Sequence, residues 1–269
     1  MFSAERYLGN PVAVIFDADD LDAEQMARVA RWTNLSETTF VLRPTTEEAD
    51  YRVRIFTPGG ELPFAGHPTL GTAHAWLGEG GQPTDPQLIV QECPAGLIMV
   101  RRDDAFLSFA APPMVRTGDI EPGYLHRIIE AFGVNPDRVL AHQWVDNGPG
   151  WAVLQLATAQ DVLDLEPDLA QVPDAMVGAI GAYPPGSRFD FEIRSFAPGV
   201  GVAEDPVCGS MNASVGQWLT STGRAARSYR VAQGRRLGRA GDISVTADPD
   251  GTVWVGGATT TLFHGTATL

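Results

Sequence analysis

Glu37 is the carboxylate of this 269-residue chain whose surroundings best suit proton transfer. It lies in Ser36-Glu37-Thr38, where a β-rich run begins, next to hydroxyl groups and apolar residues rather than other charges. A glutamate that is partly removed from water can both accept and donate a proton near neutral pH. The sequence leaves open the alternative that Glu37 is an ordinary exposed glutamate at a strand end.

His67 is a candidate partner for such a carboxylate. It lies between Gly66 and Pro68, at the predicted start of a helix. Because a helix N-terminus disfavours positive charge, we expect a neutral imidazole that forms hydrogen bonds there. Simple capping of the helix explains the same residue equally well.

Asp205 and Ser210 belong to a second stretch that also precedes a predicted helix. Asp205 either pairs with His67 and fixes its tautomer, or is an ordinary turn aspartate before Pro206. Ser210 is predicted to be the N-cap of the helix, with a backbone N–H that also meets a ligand.

Cys208 could be a nucleophile or proton donor, because a thiol beside a helix start can have increased acidity. The alternative is a small, buried and inert cysteine. Aligning Gly66 with Gly209 places Ala65 opposite Cys208. A racemase with two opposed thiols would therefore lack one of them.

The elements that must position these residues occur twice. Residues 54–77 and 194–219 both begin Arg-x-Phe-x-Pro-Gly and both end Trp-Leu, about 140 residues apart. A repeat of this length indicates a duplicated fold of two similar lobes rather than a solenoid, whose repeats are shorter.

In each copy a strand leads through a Pro-Gly loop to a helix, predicted over residues 68–77 and 211–219. Both helices are mostly small and apolar around their circumference, which predicts that they are buried, each wrapped by a sheet. Helix N-termini that face a common seam would bind an anion, most simply a substrate carboxylate.

The remaining pattern predicts short strands and few helices, hence an α+β fold. A helix is predicted over residues 21–34, with strands before and after it. The lobes are predicted to comprise residues 1–115 and residues 116–257. A final strand, predicted over residues 260–269, would return to the first lobe, which would then include about residues 258–269.

Composition excludes several functional classes. The net charge of −14 argues against a nucleic-acid partner, which needs a basic face. Two cysteines are too few for a disulfide framework and show no metal-ligand spacing, and the histidines are scattered, so we expect no metal site. No apolar run is long enough to span a bilayer, so we expect no membrane partner and a cytoplasmic location.

Four motifs, in this order, resemble the phenazine-biosynthesis isomerases (PhzF-like proteins), which share the diaminopimelate epimerase fold. The matching stretches are Leu8-Gly9-Asn10-Pro11, Asn34-Leu35-Ser36-Glu37-Thr38, Gly66-His67-Pro68-Thr69-Leu70-Gly71 and Glu204-Asp205-Pro206-Val207-Cys208-Gly209-Ser210. With the closing Gly265-Thr266, they extend over nearly the whole chain.

The resemblance implies two pseudo-symmetric lobes, each a β-barrel-like sheet around a central helix, with a site in the cleft between them. It also implies a homodimer, no cofactor and a small carboxylate-bearing substrate such as trans-2,3-dihydro-3-hydroxyanthranilate. The catalytic residues that it implies are Glu37, His67, Asp205 and Ser210. The substrate-binding residues that it implies are Asn10, Ser36, Gly66 and Gly209.

Two other functions remain open at the level of sequence. One is an amino-acid epimerase or racemase that uses Cys208 with another base, and the other is a catalytically silent binding protein. Exchange at Cα that survives Glu37→Gln but not Cys208→Ala would favour the epimerase. Tolerance of substitution at both Glu37 and His67 would favour the binding protein.

Overall fold

The computed structural model describes residues 1–103 and 106–268. The chain divides into two compact units, unit 1 (Met1–Ala110 and Gly256–Leu269) and unit 2 (Ala111–Val255). The sequence placed the corresponding boundaries after residues 115 and 257. The division of the chain into two lobes at these boundaries stays a prediction.

Unit 1 is a mixed sheet with two helices. Its elements are β1 (Ala13–Ile15), α1 (Ala23–Thr33), β2 (Thr38–Leu42), β3 (Tyr51–Thr57), β4 (Gly60–Leu62), α2 (Gly66–Gly78), β5 (Leu88–Cys93), β6 (Gly96–Arg102) and β7 (Leu107–Ala110). The strand order is β1-β2-β3-β5-β6-β7, with β4 paired to β3. The β1–β2 and β3–β5 pairs are parallel, and the other pairs of this path are antiparallel.

Helix α1 shows how local sequence sets the helix ends. Asp22 and Gln25 form a reciprocal capping box, as the aspartates before the helix predict. Asn34 ends the helix in the left-handed conformation, at φ 54°, which asparagine tolerates better than most residues. Met26 and Ala30 lie on the buried face of the helix, in a cluster with Phe40 and other apolar side chains of the sheet.

Unit 2 contains the remaining strands and helices. Its elements are α3 (Pro122–Phe132), β8 (Val139–Trp144), β9 (Ala152–Leu156), α4 (Ala159–Leu163), β10 (Val177–Ala182), β11 (Phe191–Ala197), β12 (Val202–Asp205), α5 (Gly209–Ser221), β13 (Ser228–Gln233), β14 (Gly241–Ala247) and β15 (Val253–Gly257), whose last two residues belong to unit 1. The strand order is β15-β14-β13-β11-β10-β9-β8, with β12 paired to β11.

The two units repeat one order of elements and one set of pairing directions. The β9–β10 and β11–β13 pairs are parallel, like β1–β2 and β3–β5 in unit 1. The β11–β12 pair is antiparallel, like β3–β4. Helix α2 follows β4 as α5 follows β12. The mixed sheets with few helices confirm the α+β class.

The predicted central helices are present, and each begins two residues earlier than predicted, at Gly66 and at Gly209. Both are mostly buried, as their small apolar sequences indicate. The short strands β4 and β12 escaped prediction because Gly60–Leu62 and Val202–Asp205 lack an alternating apolar pattern. Among the described residues, no helix is long and apolar enough to cross a bilayer.

The strand predicted over residues 260–269 is wrong wherever it can be checked. Residues 258–268 form no strand, and Leu269 lies outside the described residues. The threonines there favour strands, but Phe263 is 85% exposed. A strand without an apolar face to bury gains little from pairing, so local propensity does not decide this segment.

Candidate functional site

The start of helix α2 is buried and lacks a capping side chain. Its N-cap is Ala65, which has no oxygen to accept a hydrogen bond from the first turn. The first two residues, Gly66 and His67, therefore begin the helix with backbone N–H groups that no N-cap side chain satisfies. Such a helix start can hold an anion.

Sheet topology brings Asn10 and Glu37 to this helix start. Strands β1 and β2 are parallel and pair Ala13 with Thr38. Because parallel strands begin at the same edge of a sheet, the segments just before them, which carry Asn10 and Glu37, share that edge. Glu37 directly precedes strand β2, which confirms the predicted position of Glu37 at the start of a strand.

The imidazole of His67 lies between the two polar side chains. Its Nε2 atom is 3.0 Å from Oε2 of Glu37, and its Nδ1 atom is 3.2 Å from Nδ2 of Asn10. His67 is 3% exposed and the Glu37 side chain 13%. Among the described residues, neither Nε2 of His67 nor Oε2 of Glu37 has a well-aligned hydrogen bond.

The backbone of Asn10 is fixed as well. The amino group of Met1 donates to the carbonyl of Asn10 at 2.9 Å, and the amide of Asn10 donates to the carbonyl of Met1 at 3.0 Å. A Cβ atom at Gly9 would lie 2.2 Å from the carbonyl oxygen of Met1. Glycine at position 9 therefore allows the close approach that holds Asn10 in place.

In unit 2 the corresponding helix start is organised differently from the prediction. The N-cap of α5 is Cys208, whose Sγ accepts from the amide of Met211 at 3.5 Å. The prediction that Ser210 is the N-cap is wrong, because Ser210 is the second helical residue. The alignment of Ala65 with Cys208 holds, since both are N-caps.

Ser210 is held by residues that sequence analysis missed. Trp151 Nε1 donates to its hydroxyl oxygen at 3.0 Å, and Asn147 Nδ2 donates to its backbone carbonyl at 2.9 Å. Cys208 Sγ lies 3.4 Å from the same hydroxyl. Trp151 and Asn147 are about 60 residues away in the chain, and no local pattern connects them to Ser210.

Asp205 ends strand β12 and accepts a hydrogen bond from the amide of Val207 at 3.1 Å. This contact is the one expected of an ordinary turn aspartate before proline. Within unit 1, the two ring nitrogens of His67 lie beside Asn10 and Glu37. The pairing of Asp205 with His67 stays a prediction. A catalytic role for Asp205 stays a prediction.

The structure brings Asn10, Glu37, His67 and the adjoining Gly66 together within unit 1. Ser36 precedes them at the same strand edge and is half-buried. In unit 2, Gly209 and Ser210 open helix α5 beside Cys208. Within the described ranges, no group of three or more His, Cys, Asp and Glu side chains has the geometry of a metal site.

Comparison with known proteins gives the family. The family model described as "Phenazine biosynthesis-like protein" matches residues 1–266. The chain is 38% identical to antisense-enhancing sequence 1 of Schizosaccharomyces pombe over 286 residues, covering 98% of this chain and 95% of the relative. It is 34% identical to trans-2,3-dihydro-3-hydroxyanthranilate isomerase of Pseudomonas aeruginosa over 260 residues, covering 93% and 89%.

Solved structures agree with this assignment. A protein described as a predicted epimerase from Pseudomonas aeruginosa is 27% identical with a TM-score of 0.76, covering 95% of this chain and 92% of that chain. A phenazine biosynthesis protein of the PhzF family from Bacillus anthracis has a TM-score of 0.79 at 23% identity and the same coverage, which shows a shared fold. The chain therefore belongs to the phenazine biosynthesis-like family and is an isomerase.

Proposed function

We propose that this isomerase moves a proton between carbon atoms of a small carboxylate-bearing molecule without a cofactor, and that Glu37 carries the proton. The observation behind the proposal is the carboxylate of Glu37, 3.0 Å from the buried imidazole of His67 at the uncapped start of α2. The relative from Pseudomonas aeruginosa suggests the substrate, a molecule like trans-2,3-dihydro-3-hydroxyanthranilate.

One carboxylate is sufficient for such a shift. Removal of the proton from one carbon and delivery to another can take place on the same face of the substrate, so Glu37 acts first as base and then as acid. Epimerisation normally needs a second base on the opposite face. Ala65, which aligns with Cys208, cannot be that base.

The substrate carboxylate is proposed to bind at a helix start. The backbone N–H groups of Gly66 and His67 have no N-cap side chain as acceptor, and the dipole of α2 favours negative charge there. Ser36 and Gly209 are retained as proposed substrate-binding residues.

Asp205 and Ser210 are proposed as supporting catalytic residues. The hydroxyl of Ser210 accepts from the N–H of Trp151 and lies 3.4 Å from Sγ of Cys208, and its own proton can rotate from the sulfur toward a substrate acceptor. Asp205 is a carboxylate at the end of β12, where it anchors the turn before α5.

We also propose the finer features that the family resemblance implies. These are a homodimer in the cytoplasm and, within each unit, a sheet that curls around its central helix. Contacts of α2 with β1, β2, β5 and β7 of its own unit support the wrapped arrangement. Size-exclusion chromatography with light scattering would test the dimer.

The substitution Glu37→Gln tests the proposal. It keeps the shape of the side chain and removes proton transfer, so we expect turnover of trans-2,3-dihydro-3-hydroxyanthranilate to fall by at least about 100-fold. Incorporation of deuterium from heavy water should fall in parallel, measured by mass spectrometry. Thermal unfolding shows whether the variant remains folded.

The matched control is Glu47→Gln, at an exposed glutamate of the same unit, which should retain wild-type turnover. Full deuterium incorporation by Glu37→Gln would remove Glu37 from the mechanism. Exchange that is lost in Cys208→Ala but retained in Glu37→Gln would support the epimerase instead. If wild-type protein processes other carboxylates but not this one, only the substrate assignment is wrong.

A further inference from the structure

The contact between Asn10 and His67 determines where the imidazole carries its proton. A neutral imidazole has one N–H, and its other nitrogen can only accept a hydrogen bond. The atom of Asn10 that lies 3.2 Å from Nδ1 is Nδ2, an amide nitrogen that can only donate. Nδ1 is therefore the acceptor, and the single ring proton is on Nε2.

The opposite side of the ring agrees with this tautomer. Nε2 of His67 lies 3.0 Å from Oε2 of Glu37, and an ionised carboxylate can only accept. A proton on Nε2 therefore lies beside an acceptor, although the two atoms do not form a well-aligned hydrogen bond. With the other tautomer, two lone pairs would face each other at Nε2 and two donors would face each other at Nδ1.

Burial makes this arrangement costly to replace. Asn10 has no exposed surface and His67 is 3% exposed, so water cannot readily take the place of the amide. A buried polar group that loses its partner is strongly disfavoured. The same burial argues that Asn10 contacts the ring rather than the substrate.

We infer that Asn10 is a positioning residue, which donates to Nδ1 of His67 and so keeps the ring proton on Nε2, the nitrogen beside Glu37. This inference rests on the proposed role of Glu37 in catalysis. It changes the role that the family resemblance gave to Asn10, from binding substrate to orienting the residue beside the base.

The side chain has to be an amide or another donor for this role. An aspartate at position 10 has nearly the same shape but can only accept, so it requires a proton on Nδ1. A leucine offers neither donor nor acceptor. A serine can donate through its hydroxyl group and so preserves part of the function.

Nitrogen NMR of protein with ¹⁵N-labelled histidine reads the tautomer directly and does not depend on activity. In the wild type we expect the His67 signals of an unprotonated Nδ1 and a protonated Nε2, assigned by their loss in His67→Gln. In Asn10→Asp we expect protonation at Nδ1. The control Asn135→Asp, which makes the same change at an exposed helix cap, should leave these signals unchanged.

Kinetics provides the second readout. In Asn10→Asp we expect kcat to fall by about 10- to 100-fold, by analogy with the loss of a residue that orients a metal-bound histidine, while KM changes by less than about threefold. Asn10→Ser should recover part of kcat. If Asn10→Asp does not fold, the wild-type spectrum and Asn10→Ser still test the inference.

A wild-type spectrum with a protonated Nδ1 would overturn the inference, as would an Asn10→Asp spectrum identical to wild type. A large rise in KM at constant kcat would instead identify Asn10 as a substrate ligand. Because the spectrum tests the contact and Glu37→Gln tests the chemistry, failure of one is distinguishable from failure of the other.

Discussion

Glu192 on strand β11 is a carboxylate with no exposed surface. Its Oε2 atom accepts a hydrogen bond from the hydroxyl of Tyr183 at 2.6 Å and lies 3.6 Å from Nε of Arg235. Its Oε1 atom has no hydrogen bond among the described residues. Burial raises the pKa of Glu192 to about 7, and the hydrogen bond from Tyr183 and the charges of Arg235 and Arg194 offset that rise only in part.

The substitution Glu192→Gln should make stability less dependent on pH. An unfolded glutamate has a pKa of about 4.3, so the folded state favours the protonated form of Glu192. Protonated Glu192 therefore stabilises the folded state fully below about pH 4.3, and this contribution is lost as pH rises through about 7. Between pH 4.5 and 7.5, the free energy of unfolding of Glu192→Gln should therefore rise relative to that of wild type by roughly 2 to 3 kcal/mol, as measured by urea unfolding.

The exposed Glu47→Gln serves as the control for this measurement, and its difference from wild type should be nearly independent of pH. Parallel stability curves of wild type and Glu192→Gln across the same pH range would contradict the assignment of Glu192 as the buried titrating group.

The repeated Arg-x-Phe motif has a structural explanation at the scale of single residues. Arg54 pairs with both carboxylate oxygens of Glu61, and Arg194 pairs in the same way with Glu204. Each guanidinium also lies 5.0 Å from the ring centre of the phenylalanine two residues later. The motif therefore fastens β3 to β4 and β11 to β12, the hairpins that lead to the central helices.

At the scale of elements, a buried glutamine ties each central helix to the strand that follows it. In unit 1, Gln91 on β5 donates to the hydroxyl of Thr69 in α2 at 3.0 Å and accepts from Tyr51 at 3.0 Å. In unit 2 a glutamine of the corresponding strand, Gln233 on β13, makes more contacts. Its partners are Ser195, the carbonyl of Asp205, the amide of Cys208 and the side chain of Asn212.

We predict that Gln233→Leu destabilises the protein more than Gln91→Leu. A buried polar group that loses its partner costs about 1 to 3 kcal/mol, and Gln233 satisfies four groups whereas Gln91 satisfies two. We expect Gln233→Leu to lower the free energy of unfolding by at least about 3 kcal/mol. Urea unfolding followed by circular dichroism gives both values.

If the two variants lost equal amounts of unfolding free energy, or if Gln91→Leu lost more, these hydrogen bonds would not be what determines the stability of the helix starts. The comparison is internally matched, because both glutamines are fully buried and occupy equivalent strands of the two repeated units.

At the scale of the whole molecule, the acidic composition governs solubility. The chain carries 33 acidic and 19 basic residues, and its isoelectric point is about 4.6. At neutral pH the net charge of −14 keeps molecules apart by repulsion. That repulsion vanishes where the net charge reaches zero.

We predict that light scattering by the protein is greatest near pH 4.6 and falls on both sides of that value. Scattering at 90° over a pH series at constant ionic strength measures this dependence. Circular dichroism of the same samples separates association of folded protein from acid unfolding. A scattering maximum at neutral pH, with the native spectrum retained, would contradict the prediction.

Much of the fold was accessible from sequence, because the relevant signals are local. The capping box before α1, the small apolar helices and the two Arg-x-Phe copies each lie within a short segment, and the structure contains all of them. Glu37 and His67 were identified by their positions beside a strand start and a helix start. The structure brings these two residues into contact.

Other features depend on register and packing, which a local pattern does not contain. Asn10 meets His67 across 57 positions of the chain, and Trp151 meets Ser210 across 59. The sequence also placed the cap of α5 at Ser210, two residues late, because serine caps helices more often than cysteine.

The sequence by itself determined the α+β class, the duplication and the residue types that could move a proton. Only the tertiary structure decided which of those residues touch, which carboxylate is buried, and that residues 258–268 form no strand. Periodicity and capping act over a few residues, whereas contacts between side chains depend on how strands pair and helices pack. Those arrangements are set by the fold as a whole.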